Sequence, residues 1–379
     1  MKKISVKNYL RKIVSDPVLV IAWILAIISA FVVRPDAGYL EYVDFRSLGI
    51  LWGLMIVIQG FRENSIFEKI GEKLLGKVTT GRQLAIVLIL MCFLGSMFIT
   101  NDVALITFVP FALMTLHSCR REDMMISVIV LQTVAANLGS MLTPIGNPQN
   151  LYLYGLTGMS IGSFIMCMLP YSIFSLVLLM IASFFIRNGK GSLGERKDNY
   201  QVVKSFGSKK QVAVYSVLFV LALLTVLRVL PWYVMALIIL AVVAVMDGKI
   251  LLRADYILLL TFIGFFIFTG NMGRIPAVRD FLQSVSDGRE FLIALIASQF
   301  ISNVPATLML SGFVSDYKEL LIGVNVGGLG TLIASMASLI SFKAYGNDYK
   351  EKRGKYIIAF TIVNVVFLVA LILFKLIIG

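Results

Sequence analysis

The stretch "NLGSMLTPIGNPQNLYLY", residues 137–154, breaks an otherwise apolar run with two prolines, two glycines and several asparagines. Proline removes an amide donor and interrupts a helix, and glycine lets the backbone approach a ligand closely. The flanking residues look like lipid-facing helix, and non-helical backbone at membrane depth survives only where protein buries it or where it lines a wet cavity. The stretch therefore predicts a broken helix at a binding site. The alternative is a kinked structural helix whose polar groups satisfy one another.

The composition is that of a polytopic membrane protein. Of the 379 residues, 59% are hydrophobic and 15% are charged, and the mean hydropathy is +0.90. About 17 or more mostly apolar residues are enough to cross a bilayer core of about 30 Å, and such stretches recur along the chain. They predict nine crossings, near residues 17–33, 45–61, 124–158, 160–186, 211–229, 232–247, 255–271, 317–344 and 356–378, of which 124–158 and 317–344 are broken.

The net charge of +13 comes from basic residues that cluster between the apolar runs. In an alternating topology these clusters fall on one side, including residues 1–12 and the loop 187–210, as the positive-inside rule requires. The sequence thus predicts an integral protein of the plasma (inner) membrane, with the N-terminus cytoplasmic and the C-terminus outside, and no nucleic-acid partner. The three cysteines lack the spacing of a metal site, and no metal beyond a sodium ion is expected.

Two parts of the chain resemble each other. Residues 137–154 align without gaps with "NVGGLGTLIASMASLISF", which starts at Asn325, and "FITNDVALITF" from Phe98 matches "FISNVPATLML" from Phe300. The second copy begins five crossings after the first, an odd number, so the copies face opposite ways in the bilayer. Such an inverted repeat is typical of secondary transporters, whose sites lie near the midplane where the repeats meet. The alternative is chance, because apolar sequences align easily.

Two segments of the second copy are too short to span. "EFLIALIASQFI" and "VPATLMLSGF" are each about a dozen residues or fewer, which at about 1.5 Å per residue reaches half the bilayer. Their junction, residues 302–304, predicts the tip of a re-entrant hairpin. By symmetry residues 100–102 form a second tip, although its arms, near 83–99 and 103–118, are long enough to span on their own.

The hairpin tips and the breaks supply the candidate site. A half-helix beginning near Asn150 presents free N–H groups and a positive dipole end, which suit an anion, while helix C-termini and unwound carbonyls suit sodium. An ionisable group at membrane depth indicates function, so we assign Asp102 to coupling; the alternative is that it caps a helix starting at Val103. The predicted substrate-binding residues are Thr100, Asn101, Asp102, Thr143, Gly146, Asn147, Pro148, Asn150, Ser302, Asn303, Thr331 and Ser335. The predicted coupling residues are Asn101, Asp102 and Asn303, with Na⁺ or H⁺ as the coupling ion and no cofactor.

The repeat divides the chain into five parts. Residues 1–80 form a first scaffold segment with an interfacial helix, and residues 81–186 form a first transport half-site of hairpin, broken helix and spanning helix. A cytoplasmic loop, 187–210, leads to a second scaffold segment, 211–288, and to a second transport half-site, 289–379. The predicted fold is an all-α polytopic membrane protein with about nine spanning helices, two re-entrant hairpins and two broken helices in an inverted repeat. The half-sites are expected to differ, because the second break lacks the prolines.

The motifs "TNDVALITFVPFAL" and "NLGSMLTPIGNPQNL", with their counterparts "SNVPAT" and "NVGGLGTLIAS", resemble the ion transporter superfamily. That group includes citrate-transporter-like permeases, divalent anion:sodium symporters, arsenite permeases and a class of sodium/proton antiporter. The resemblance implies a scaffold domain, a mobile transport domain carrying the hairpins and broken helices, a homodimer and an elevator-like motion.

The tips differ from one branch of this superfamily. In the dicarboxylate symporters each tip carries Ser-Asn-Thr, which holds substrate carboxylate and sodium. Asn101 and Asn303 match this motif, but Asp102 and Val304 stand at the third position. Asp102 opposes a dicarboxylate unless a cation or proton intervenes, and an Asn-Asp tip is more similar to the arsenite permeases.

The expected function is secondary active transport of a small anion, either citrate- or dicarboxylate-like or an inorganic oxyanion. Sodium or proton symport would drive it by elevator-type alternating access. The alternatives are efflux of arsenite or antimonite, and sodium/proton antiport. A membrane-embedded enzyme is disfavoured because the sequence has no HExxH motif and no paired intramembrane acids. A passive channel is disfavoured by the inverted repeat.

Overall fold

The structure, a computed structural model, describes residues 16–76, 78–186 and 207–378. The regular structure of these residues is helical throughout, which confirms the all-α prediction. The basic N-terminal residues 1–15 and most of the predicted loop 187–210 lie outside the described residues.

The helices follow the predicted order of the two copies. The first part of the chain forms α1 (Pro17–Val32), α2 (Tyr39–Tyr42), α3 (Phe45–Glu63), α4 (Ile66–Leu75), α5 (Gly81–Gly95), α6 (Asn101–Ser118), α7 (Met125–Ser140), α8 (Pro148–Thr157) and α9 (Ile161–Phe184). The second part forms α10 (Lys209–Val226), α11 (Trp232–Leu251), α12 (Tyr256–Gly273), α13 (Pro276–Ser286), α14 (Glu290–Ile301), α15 (Asn303–Leu310), α16 (Tyr317–Val326), α17 (Met336–Asp348) and α18 (Arg353–Ile378).

Every predicted crossing has a helix or a broken helix in its place. Within the described ranges, six helical stretches are long and apolar enough to cross a membrane, namely Glu122–Ser140, Ile161–Phe184, Lys209–Val226, Trp232–Leu251, Tyr256–Gly273 and Lys350–Ile378. α1 and α3 occupy the first two predicted crossings, and the pairs α7/α8 and α16/α17 occupy the interrupted ones. The chain is therefore a polytopic integral membrane protein.

Several of these helices begin at a side chain that caps the N-terminus. Asp16, Asp44 and Asp255 cap α1, α3 and α12 by accepting hydrogen bonds from backbone amides of the first turn, as N-cap carboxylates commonly do. Thr80 and Gln83 form a capping box at the start of α5. Each start is thus fixed by a side chain that satisfies amides which the helix itself leaves free.

We divide the helices into two groups, which also contact each other, since α12 packs on α15 and α3 packs on α8. α1 packs along α12, and α10 and α11 pack on α3; we call α1, α3 and α10–α12 the scaffold group. α5–α9 and α14–α18 form the hairpin group, in which α7 contacts α5, α6, α9, α17 and α18. The apolar stretch ending in α7 is 83% buried, whereas those of α11 and α18 are 22% buried. α7 is therefore the central helix of the hairpin group.

Chain ends that the alternating topology puts on the same side of the membrane meet in the structure. Arg274, after α12, donates to Asp36, after α1, with Nη1 and Oδ2 2.6 Å apart, and this hydrogen bond lowers the pKa of the Asp36 carboxyl. At the other end of α12, Arg253, which precedes this helix, pairs with Glu63 at the end of α3. These contacts agree with a chain that alternates between two sides.

The short helices α4 and α13 follow α3 and α12, as the repeat predicts, and both leave apolar side chains exposed. Ile70 and Leu74 of α4 are 49% and 46% exposed, while Phe67 on the other face packs on Phe108 of α6. On α13, Phe281 is 64% exposed. Exposed apolar residues on a short amphipathic helix are typical of a helix at the membrane surface.

Candidate functional site

Each hairpin tip is held to a helix break by the same backbone hydrogen bond. α5 and α6 form the first hairpin, and Asn101 N donates to Gly146 O at 2.9 Å. α14 and α15 form the second, and Asn303 N donates to Ala334 O at 3.0 Å. Gly146 and Ala334 are matching positions in the alignment of the two breaks. Residues matched by sequence therefore make matched contacts.

The predicted site threonines also make matched contacts. Thr143 Oγ1 donates to Met97 O at 2.5 Å, and Thr331 Oγ1 donates to Gln299 O at 2.9 Å. Met97 and Gln299 both lie just before a hairpin tip. Each threonine thus ties a break to the first arm of the neighbouring hairpin.

Polar side chains of the two breaks exchange contacts across the middle of the hairpin group. Ser335 Oγ donates to Asn137 Oδ1 at 3.0 Å, and Asn147 Nδ2 donates to Asn325 Oδ1 at 3.0 Å. Because Asn137 matches Asn325 and Asn147 matches Ser335 in the alignment, the two contacts are reciprocal. Asn101 Nδ2 adds the first tip, 3.2 Å from Asn137 Oδ1. We call these five buried side chains, of Asn101, Asn137, Asn147, Asn325 and Ser335, the polar centre.

The half-helix after the first break begins at Pro148, close to the predicted start near Asn150. Asn147 caps it by accepting from Asn150 N at 2.9 Å, and Ser335 caps the matching half-helix α17. Asn150 Nδ2 donates to carbonyls of the unwound segment, including Thr143 O at 3.1 Å. The amide of Asn150 is therefore already bonded, and these side chains hold the break as the alternative of a self-satisfied kink predicts.

Gly146 lies against the end of α7. A Cβ at this position would stand 2.0 Å from Ser140 O and 2.7 Å from Ser140 C, so another residue fits only if the backbone moves. The close approach that this glycine permits is thus to the protein's own main chain.

A cavity of about 300 Å³ lies beside the first hairpin tip, within the size range of small-ligand sites. Its polar lining includes Thr100, Asp102, Gln59, Arg62, Arg253 and Asp255, and Pro148 also lines it. Tip and break residues come from the hairpin group, and the arginines and Asp255 come from the ends of scaffold helices. A solute in this cavity would therefore contact both groups.

Asp102 lies in the first turn of α6, because that helix begins at Asn101. The alternative that Asp102 caps a helix starting at Val103 is wrong in register. The Asp102 amide donates to Asn101 Oδ1 at 2.9 Å, and the side chain belongs to the cavity lining. The residue thus brings a carboxylate into the cavity that it shares with Asp255.

Two arginines of the cavity were missed by reasoning from the tip and break motifs. Arg62 lies in the last turn of α3 and Arg253 precedes α12, and both line the cavity. Arg253 pairs with Glu63, while Arg62 Nη1 lies 3.4 Å from Gln59 Oε1. They lie far from the motifs along the chain, and the one sequence signal is their place at the ends of scaffold spans.

The second tip is more enclosed than the first. Ser302 and Asn303 are 1% and 4% exposed. Ser302 has a φ of +72°, which non-glycine residues rarely adopt, and its hydroxyl lies 3.5 Å from Ala334 O. Thr100 and Asp102 of the first tip instead line the cavity. The two half-sites therefore differ, in keeping with the unequal sequences of the breaks.

Comparison with known proteins agrees with this architecture. The profile of the family described as "Citrate transporter" (CitMHS) matches residues 9–318. The inner membrane protein YbiR of Escherichia coli is 32% identical over 320 residues, which is 83% of this chain and 84% of YbiR. The "Uncharacterized transporter MJ0456" of Methanocaldococcus jannaschii is 31% identical over 334 residues, which is 87% of this chain and 89% of that protein.

A shorter similarity links the chain to a plant protein. The "Silicon efflux transporter LSI3" of Oryza sativa is 32% identical over 139 residues, which is 37% of this chain and 28% of LSI3. The matching family and the relatives named by function are membrane transporters, not enzymes. With its paired hairpins, broken helices and near-complete match to the profile, the chain belongs to the citrate transporter family of membrane transporters.

Proposed function

We propose that the protein is a secondary active transporter of a small anion, coupled to sodium or protons, in which both hairpin tips and both breaks form one binding site. The observation that carries this proposal is the matched bonding of Asn101 to Gly146 and of Asn303 to Ala334, with reciprocal bonds between the breaks. Halves that make reciprocal contacts support an inverted repeat. Secondary transporters of this architecture bind their substrate where the repeats meet.

In the mechanism that we propose, the hairpin group moves past the scaffold group as an elevator. The hydrogen bonds of the polar centre lie within the hairpin group, so this motion leaves them intact. Contacts between the groups would have to break in this motion, and they include a hydrogen bond of 3.2 Å from Thr269 Oγ1 to Leu308 O and a ring contact of 5.3 Å between Tyr152 and Phe266. A homodimer formed through the scaffold helices would hold the fixed part in place.

Asp102 is the residue that we assign to coupling, together with Asn101 and Asn303. Its carboxylate lines the cavity along with Asp255, so a bound sodium ion or proton would remove charge that repels an anion. Arg62 and Arg253 line the same cavity, and guanidinium groups suit carboxylates and oxyanions. The mixture of charges favours binding of an anion together with a cation.

Efflux of an uncharged metalloid acid, such as arsenite or antimonite, is the second candidate. Asp102 favours it, because the tip carries a carboxylate where the dicarboxylate symporters carry threonine. One relative is named a silicon efflux transporter, and silicon, like arsenic and antimony, is a metalloid. Sodium/proton antiport is a further alternative that would also use Asp102.

We also propose an orientation, with the protein in the plasma (inner) membrane, its N-terminus cytoplasmic and its C-terminus outside. Arg253 lines the cavity and lies just before α12, at a helix end that the positive-inside rule assigns to the cytoplasm. The cavity beside the first tip then opens inward, and the conformation is an inward-facing one.

Transport by purified protein in proteoliposomes tests the proposal. Entry of labelled citrate, succinate, phosphate and arsenite is measured with a sodium gradient, with a pH gradient and with neither. We expect one of these solutes to enter faster with one of the gradients, and we expect Asn101→Ala and Asn303→Ala to abolish that uptake in folded protein. Asn364→Ala, a buried asparagine of α18 outside the polar centre, is the control and should keep wild-type uptake.

Two results would reject the assignment. Uptake that is indifferent to both gradients would remove the coupled mechanism. Wild-type uptake by both tip variants would remove the hairpin tips from the site.

A further inference from the structure

Gln149 is a buried glutamine whose side chain makes no hydrogen bond. It is 1% exposed, and neither Oε1 nor Nε2 has a partner. Within the described part of the chain, it is the buried amide for which both polar atoms are unpaired. Burying an unpaired amide is costly, and buried polar groups without protein partners call for a bound water, ion or ligand.

The amides on either side of Gln149 are already used. Asn147 caps α8 and donates to Asn325, and Asn150 donates to carbonyls of the break and accepts from Asn325 at 2.7 Å. In residues 147–150, the side-chain amides of Asn147 and Asn150 therefore hydrogen-bond within the protein, whereas that of Gln149 makes no hydrogen bond.

Gln149 is adjacent in the chain to the proposed site. It follows Pro148, which lines the cavity with Thr100 and Asp102. Residues three apart share a helix face, so Gln149 lies on the face of Tyr152, whose hydroxyl is 3.0 Å from Ser311 at the end of the second hairpin. α8 packs on α15, so this face of α8 is the one that meets the second hairpin.

A side-chain amide offers one acceptor and two donors, so it pairs with a group that presents both an acceptor oxygen and a hydroxyl. A protonated carboxylic acid or an undissociated oxyacid has this arrangement. A fully ionised carboxylate or sulfate has acceptors only and would leave Oε1 unpaired. The site would therefore favour a solute that carries at least one acidic proton.

We propose that Gln149 is a substrate-binding residue that pairs through both amide atoms with a protonated carboxylic acid or oxyacid. This inference rests on the proposed function, because it concerns the same transport site. It adds one residue to the predicted substrate-binding residues, and it specifies the protonation state of the substrate.

Affinities of wild type, Gln149→Met and Gln132→Met test the proposal. Gln132 is the matched control, because it is also fully buried but Nε2 donates to Leu88 O at 3.0 Å. The probes are citrate, succinate, phosphate, arsenite and sulfate, measured by calorimetry on purified protein at pH 6. We expect wild type to bind at least one of the first four more tightly than sulfate. We expect Gln149→Met to bind that probe at least about tenfold more weakly, because a site built to hydrogen-bond a solute loses affinity when one partner is removed. We expect Gln132→Met to bind it as tightly as wild type.

Gln149→Glu gives a second measurement that does not depend on the folding of the methionine variant. A protonated glutamic acid has both a donor and an acceptor, whereas an ionised one has acceptors only. We expect the variant to bind the same probe at low pH and to lose it at higher pH more steeply than wild type. Wild type serves as the reference because Asp102, Asp255, Arg62 and Arg253 line the adjacent cavity and contribute their own pH dependence.

The outcomes separate the two proposals. Wild type that binds and transports a probe while Gln149→Met binds it equally well would overturn the Gln149 assignment alone, and would show that the amide holds a structural water. Equal losses in Gln149→Met and Gln132→Met would also overturn it, since the effect would then come from folding. Wild type that binds none of the five probes would overturn both the assignment and the proposed function.

Discussion

Replacing Asn137 by alanine removes the acceptor on which the polar centre converges. Asn137 Oδ1 receives Asn101 Nδ2 at 3.2 Å and Ser335 Oγ at 3.0 Å. Its Nδ2 lies 3.4 Å from Gly328 O, a long contact that contributes little. Alanine therefore leaves two buried donors, one from the first tip and one from the second break, without a partner.

The size of the effect follows from these two donors. A buried donor left unsatisfied costs about 1–3 kcal/mol, so two donors give an upper range of about 2–6 kcal/mol. Hydrogen bonds in membrane proteins average about 0.6 kcal/mol, which places the expected loss at the lower end. We predict that Asn137→Ala lowers the free energy of unfolding by about 2–3 kcal/mol.

Asn364→Ala is the matched control. Asn364 is as buried as Asn137, but Nδ2 donates to Phe360 O in its own helix and Oδ1 accepts nothing. Truncating Asn364 to alanine leaves no other buried donor without a partner, so the free energy of unfolding should change by less than about 1 kcal/mol. The assay is reversible unfolding of purified protein in mixed micelles by denaturing detergent. Equal changes for the two variants would refute the reasoning, because the polar centre would then contribute no more than an isolated buried amide.

Three further changes have defined outcomes. Gly146→Ala puts a Cβ 2.0 Å from Ser140 O and should destabilise by about 1–3 kcal/mol, as overpacking does, measured by the same unfolding assay; an unchanged midpoint would contradict it. Arg228→Ala removes hydrogen bonds of 2.9 Å and 2.7 Å to the carbonyl oxygens of Tyr154 and residue 158 at the end of α8, and a contact at 4.9 Å with the ring of Tyr154. It should shift the balance of inward and outward conformations, measured by single-molecule fluorescence, roughly tenfold (about 1.4 kcal/mol). An unshifted balance would show that this contact is not specific to one conformation. Asp102→Asn should change the sodium or pH dependence of transport more than the choice of solute, and an altered choice with unchanged ion dependence would remove Asp102 from coupling.

Much of the hairpin group was predictable because its signals are local. The proline-rich break, the short arms around residues 302–304 and the matched asparagines Asn101 and Asn303 each depend on residues close in sequence. Half-spanning lengths and the order of elements then restrict how the segments fit a bilayer. The fold class and the meeting of tips with breaks follow from these constraints.

The roles of individual amides were not predictable. Asn147 and Asn150 look like ligands in the sequence, but the structure uses them to cap α8 and to bond the unwound carbonyls. Composition alone does not say which of several neighbouring side-chain amides will hydrogen-bond to the backbone. Arg62 and Arg253 reach the cavity only because α3 and α12 pack beside the first tip, which is a long-range contact that no local pattern encodes.

Side-specific labelling of Thr100→Cys asks whether tips and breaks form a single pocket that opens to one side of the membrane at a time. The three native cysteines are first replaced, and a membrane-impermeant thiol reagent is applied to either face of oriented vesicles. Because residue 100 lines the cavity beside Arg253, labelling should be faster from the cytoplasmic face than from the outer face, and a transported solute should slow it. Labelling that is faster from the outer face, or equally fast from both faces, would contradict a transporter that rests in the inward-facing conformation.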